Sequence, residues 1–170
     1  GTFQCRQNKV LYYNFEITRA NFQRRIIAVY GRLFDHKPTQ GQFLIENRRG
    51  QSLPMAELVQ KVITMAKWHG AKVVLFDPIY KMGLGDENAA EAVQAFFAAM
   101  DLIANEGIAV ILVHHFSKAA TDRARSSQSS GSGVFQRDPD AGLTLTKLNA
   151  PDGDGYMLDF DLRGFRNPDP

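Results

Sequence analysis

Three apolar runs in this chain stop on residues that can do acid–base or metal chemistry. KVLYYNFEI (9–17) carries Glu16 near its end, KVVLFDPIYKM (72–82) carries Asp77 just before a proline, and IAVILVHH (108–115) finishes on His114 and His115. A carboxylate in such a place can hold Mg²⁺ through water, which suits a phosphate substrate. A second carboxylate can act as general base on an attacking water. An imidazole on the third run can sense a terminal phosphate or orient groups around it. Burying two acids and an imidazole together is unfavourable unless they are paired or hold a metal, so their joint placement says more than any one of them. Each also has a plainer use. Asp77 before Pro78 can cap the turn that follows. Glu16 beside Thr18 suits the positive end of a helix. A single histidine is commonly structural.

What positions these residues is a regular alternation of elements. KVLYYNFEI reads as a strand, rich in β-branched and aromatic residues. Thr18 suits the N-cap of a helix in which Phe22, Ile26, Tyr30 and Leu33 recur at helical spacing, with Arg19, Gln23, Arg24 and Arg32 on the other face. DHKPTQGQ (35–42) is rich in turn formers, and FLIE (43–46) is a short apolar strand. Ser52 and Pro54 mark a second helix start, Leu58, Val62 and Met65 form its inner stripe, and Gly70 stops it. KVVLFD is the next strand. Asn88 and Glu91 resemble a capping pair for a third helix, lined inside by Val93, Phe96, Met100 and Ile103 and closed by Gly107. IAVILVHH follows as a strand. Neither KVVLFD nor IAVILVHH alternates, the pattern of strands covered on both faces.

Residues 117–133, SKAATDRARSSQSSGSG, have no apolar periodicity and are expected to form a mobile loop. AGLTLTKL and YMLDFDLR alternate and flank NAPDGDG, a hairpin with Asp-Gly turn chemistry. Strands joined by helical crossovers imply a parallel sheet. The expected fold is therefore α/β: three layers, α/β/α, around a mostly parallel sheet, with a C-terminal antiparallel hairpin. In open sheets of this kind ligands bind beyond the carboxyl ends of the strands, where the candidate residues fall.

Composition sets outer limits. The chain has 170 residues, 44% hydrophobic and 22% charged, which suits a single domain, 1–170, with a real core. A net charge of +2 leaves nucleic-acid contact to a local patch. Cys5 is the one cysteine, so no internal disulfide and no thiolate metal site can form, which fits a reducing compartment. No secretory signal pattern is visible. The most apolar run, IAVILV, is far shorter than the roughly 20 residues of a membrane span. A soluble, cytoplasmic protein is expected.

In their order along the chain, KVLYYNFEI, KVVLFDPIYKM, GIAVILVHHFSK and LTLTKLNAP resemble the core of RecA-like P-loop ATPases, in particular hexameric plasmid and phage replication helicases of the RepA type. The resemblance runs through most of the chain. It implies ATP and Mg²⁺ as cofactors, DNA as partner and assembly of identical subunits into a ring. Glu16 matches the glutamate that activates water. Asp77 matches the Walker B aspartate that holds Mg²⁺ through water. His115 matches the polar sensor on the next strand. Lys147 matches the lysine of a Lys-x-Arg pair that reaches the neighbouring subunit's nucleotide, but the second position of that pair is Asn149, which has no guanidinium. Arg137 is a candidate to replace it, unless it pairs with Asp138 or Asp140 on the surface. Loop 117–133 lies where relatives place a DNA-facing loop. Its Lys118, Arg123 and Arg125 against Asp122 can contact phosphates, though it offers no aromatic ring for base stacking, and a plain solvated loop fits as well.

The family's G-x-x-x-x-G-K-[ST] phosphate cradle is absent from these 170 residues. GLGDEN (83–88) lacks its lysine and follows the wrong strand. The expectation is an N-terminally incomplete core whose parent carries the motif upstream, so that this chain alone binds nucleotide weakly. A family member that has lost the motif is the other reading. Three functions stay open: an ATPase core fragment of a DNA helicase or recombination motor, a non-catalytic nucleotide- or DNA-binding assembly module, and a metal-dependent hydrolase using Glu16, Asp77, His114 and His115 as ligands.

Overall fold

A computed structural model describes residues 6–33, 41–83, 89–115, 135, 138–150 and 153–164. Within them the chain forms β1 (Val10–Asn14), α1 (Arg19–Leu33), β2 (Phe43–Asn47), α2 (Met55–His69), β3 (Val73–Asp77), α3 (Ala90–Ala104), β4 (Ala109–Leu112), β5 (Ala141–Ala150) and β6 (Gly153–Leu162). One 3-10 turn, Ile79–Lys81, follows β3. The strand–helix alternation is the one the sequence predicts.

The first four strands make one parallel sheet in the order β2-β1-β3-β4, and β5 and β6 make a separate antiparallel pair. The fold is α/β with helices flanking a parallel sheet, as in RecA-like domains. The chain steps from β1 outward to β2 by way of α1, then back across β1 to β3 by way of α2, and onward to β4 by way of α3. Right-handed crossovers in opposite directions put their helices on opposite faces. The side chains agree. Leu11, Tyr13, Val74 and Phe76 point to one face and are buried there with Leu58, Val62, Val93 and Ile103 from α2 and α3. Tyr12 points the other way, where its ring meets Phe22 of α1 at 4.8 Å and Phe43 of β2 at 5.6 Å.

Each fully buried aliphatic or aromatic side chain of that core stabilises the fold by about 1.5–3 kcal/mol. Phe76 is at its centre, wholly buried, with ring contacts to Tyr13 at 5.4 Å and Phe15 at 6.5 Å. Helix α2 is stopped by Gly70 at φ 67°, a left-handed conformation that glycine adopts freely. The Ala71 amide then bonds back to Ala66 O at 2.8 Å, which turns the chain into β3.

Five local expectations are corrected. The first strand ends at Asn14, not Glu16, because the Asn14 side chain accepts from the Ile17 amide at 3.0 Å and curls the backbone into a turn. The IAVILVHH run pairs only over Ala109–Leu112, so both histidines lie beyond the strand. Strand β4 is also an edge strand among the described residues rather than one covered on both faces: Ile111 is 46% exposed, because the single helix on that face, α1, meets the sheet at Tyr12, on β1. Ala89, without a side-chain cap, precedes α3; Asn88 is outside the described residues. Pairing of the hairpin reaches Ala150↔Gly153, so its connection is shorter than NAPDGDG.

Candidate active site

The crossovers that leave β1 and β3 go to opposite faces, so the crevice of this doubly wound sheet opens between these two neighbours at their carboxyl ends. Asp77 is the last residue of β3, in register with Asn14 of β1. Glu16 follows two residues after β1. The Phe15 amide donates to Asp77 O at 2.9 Å, and the Ile79 amide to Val113 O at 3.0 Å, so the exits of β1, β3 and β4 are laced together.

Asn14 fixes where Glu16 stands. It is 1% exposed, the one buried polar residue of the core among the described residues. Its side-chain amide donates to Ile17 O at 2.6 Å and Asn47 Oδ1 at 3.0 Å, while its oxygen accepts from the Ile17 amide. Its side-chain hydrogen bonds are divided between closing the turn and holding Asn47 at the end of β2, which removes the penalty of burying it.

Both oxygens of Glu16 have neighbours. Oε1 accepts the hydroxyl of Tyr80 at 2.8 Å, and Oε2 lies 3.9 Å from His115 Nε2. The Tyr80 and His115 rings meet edge-on with centroids 6.0 Å apart. Asp77 turns to the α1 face, where Oδ2 accepts the hydroxyl of Tyr12. Burial, and this bond to a carboxylate, push the Tyr12 phenol above its ordinary range.

The structure thus joins Glu16 to His115 side chain to side chain and ties the backbone of Asp77 to the same exit. His114 is elsewhere: its ring packs on Phe135, 5.1 Å away, which in turn meets Phe97 of α3. Lys147 stands exposed on β5, in register with Tyr156, in the two-stranded sheet rather than on the edge that carries Glu16. Lys118, Arg123, Arg125 and Arg137 lie outside the described residues. Among the described residues no three of His, Cys, Asp and Glu cluster closely enough to hold a metal ion, so Glu16, Asp77, His114 and His115 do not assemble into a ligand set. A single half-buried carboxylate with one oxygen still available, at Asp77, fits Mg²⁺, which keeps several waters and needs one or two carboxylates beside substrate phosphates.

A family model described as an AAA domain matches residues 1–121, the part that contains the whole four-stranded sheet. This chain belongs to that family. AAA domains are nucleotide-hydrolysing modules that generally bind ATP with Mg²⁺. No curated protein matches the chain. Among the described residues no helix of this AAA domain is long and apolar enough to cross a membrane.

Sequence reading missed Asn14, Tyr12 and Tyr80. Asn14 had a signal, an asparagine followed by Phe-Glu at the end of an apolar run, which is an Asx-turn pattern. Tyr12 and Tyr80 had none, since their partners are 65 and 64 residues away along the chain.

Proposed function

We propose that this AAA domain is part of the ATP-hydrolysing core of a RecA-like motor that works on DNA as a ring of identical subunits. The observation that carries this reading is the placement of Glu16 and Asp77 at the carboxyl ends of β1 and β3, the switch point of the sheet, with His115 beside Glu16. When bound, Mg-ATP supplies the phosphoryl group and the metal charge that offsets its oxygens. Glu16 takes the proton of the attacking water; Tyr80 occupies Oε1 and so leaves Oε2, the oxygen facing His115, as the basic one. Asp77 presents Oδ1 to the metal's water shell while Tyr12 fixes Oδ2. His115 couples the end of β4 to the state of Glu16. Lys147 and Arg137 act on the nucleotide of a neighbouring subunit, and Lys118, Arg123 and Arg125 contact DNA.

The reading requires a phosphate-binding loop from outside these 170 residues, because no G-x-x-x-x-G-K-[ST] stretch occurs within them. The test is ATP turnover by the whole natural protein and by its Glu16→Gln variant. Mg²⁺-dependent hydrolysis that falls by about 10²-fold or more in the variant is expected. Absence of hydrolysis in the whole protein would favour a non-catalytic assembly module.

A further inference from the structure

The connection from β2 to α2 has no part in the chemistry assigned above. It begins Arg48-Arg49-Gly50-Gln51, which closes a tight turn: the Gln51 amide donates to Arg48 O at 2.9 Å, and Gly50 sits third with φ 72°. That is a type II turn, which needs glycine there. The turn is tied to the site, because the Arg48 amide donates to Asn14 O at 2.8 Å. Arg48 also donates to the Gln51 side chain at 3.0 Å.

This turn, together with Phe15, Glu16 and Lys81, lines a cleft of about 540 Å³ at the carboxyl edge of the sheet. Asp77 is not among its walls. Arg48, Arg49 and Lys81 face one acid, Glu16, whose oxygens are already met by Tyr80 and His115. No described carboxylate lies within ion-pair distance of any of the three cations. Lys81 Nζ stands 5.0 Å from the centre of the Tyr80 ring, which localises its charge without neutralising it. Uncompensated positive charge gathered in a cleft selects an anion. Guanidinium forks and a lysine point charge match phosphate oxygens. Arg49, Gln51, Ser52 and Lys81 are exposed, so the cleft is open along its mouth and suits a ligand that passes across it rather than one that is enclosed. Phe15, the one aromatic wall, is buried in the core and offers no face for a base, so contact is to the backbone.

We propose that this cleft seats phosphate groups of a polynucleotide backbone, beside Glu16 and apart from Asp77. The choice of a polynucleotide rests on the motor reading; the cationic seat itself does not. The test is fluorescence anisotropy of a labelled oligothymidylate with the full chain, without nucleotide, over a series of salt concentrations. Arg48→Gln with Arg49→Gln is expected to weaken binding by about tenfold or more and to flatten the log–log salt slope by about 1.4, and Lys81→Gln by about 0.7. Arg48→Lys with Arg49→Lys keeps the charge and restores most of the affinity, which separates lost contact from lost fold. The same change at Arg24 and Arg25 on α1 is expected to leave the slope in place. An equal loss from that control pair overturns the seat as unspecific charge. Unchanged binding in the Arg48/Arg49 variant overturns the seat while leaving the motor reading intact. No binding by the unaltered chain overturns both.

Discussion

The hydroxyl of Tyr80 donates to Glu16 Oε1 at 2.8 Å from a turn that begins two residues after Asp77. One 3-10 turn therefore links the end of β3 to the carboxylate beyond β1, so the residue proposed to hold metal water and the residue proposed to take a proton share a short mechanical connection. Tyr80→Phe keeps the ring that meets His115 and removes only the hydroxyl. Because the pair is partly exposed, the loss is modest: kcat of the whole protein is expected to fall by about fivefold with KM for ATP unchanged, as for an interaction that orients the base. A rise in KM with kcat intact would show that Tyr80 serves nucleotide binding instead.

Asp77→Asn tests the metal role separately from the fold. Asparagine is nearly isosteric and still offers an oxygen to the Tyr12 hydroxyl, so melting should stay close to that of the parent. Turnover by the whole protein should fall by about 10²-fold or more, with no recovery on adding Mg²⁺. Turnover within a few-fold of the parent sinks the Walker B assignment.

The alternation of elements, the parallel sheet and the strand ends that carry Glu16 and Asp77 were legible because apolar periodicity reports which face of an element is buried. Phe96 and Ile103 of α3 were read correctly for this reason. The strand limit at Glu16 was misread because the Asn14 side chain turns the backbone of β1 there, and the limit at His115 because the pairing of β4 with β3 ends at Leu112, a register that the apolar run does not encode. The bonds of Tyr12 and Tyr80 could not be read at all. Each depends on β1 and β3 being neighbours and in register, a tertiary fact that local pattern does not contain.

Two adjacent tyrosines on β1 have opposite situations, and the same substitution should have opposite signs. Tyr12 gives its hydroxyl to Asp77, whereas the Tyr13 hydroxyl is buried with no hydrogen-bond partner among the described residues. Tyr12→Phe strips a half-buried carboxylate of its donor and should lower stability by about 1 kcal/mol. Tyr13→Phe removes a desolvated polar group while keeping the ring against Phe76, and should raise stability by about 1 kcal/mol. Urea unfolding of the two variants gives both values. A destabilised Tyr13→Phe would mean that its hydroxyl has a partner, such as an ordered water.

The two phenols also predict how the fold responds to alkali. Burial raises both, with the carboxylate of Asp77 adding to Tyr12 and that of Glu46 adding to Tyr13, partly opposed by Arg48. In the unfolded chain both return to the ordinary value near 10. A group whose native value is raised contributes stability that is complete below its unfolded value. Above pH of about 10 the unfolded chain loses protons that the native chain still holds, and stability falls. Each phenol that stays protonated only in the native state steepens the fall by about 1.4 kcal/mol per pH unit. Unfolding free energies measured between about pH 8 and 11 should therefore drop more steeply for the parent than for Tyr12→Phe with Tyr13→Phe. The difference should be absent at the lower end of that range and grow toward the upper end. Parallel curves for parent and double variant would show that the two phenols titrate alike in the folded and unfolded chain, which contradicts their burial beside Asp77 and Glu46.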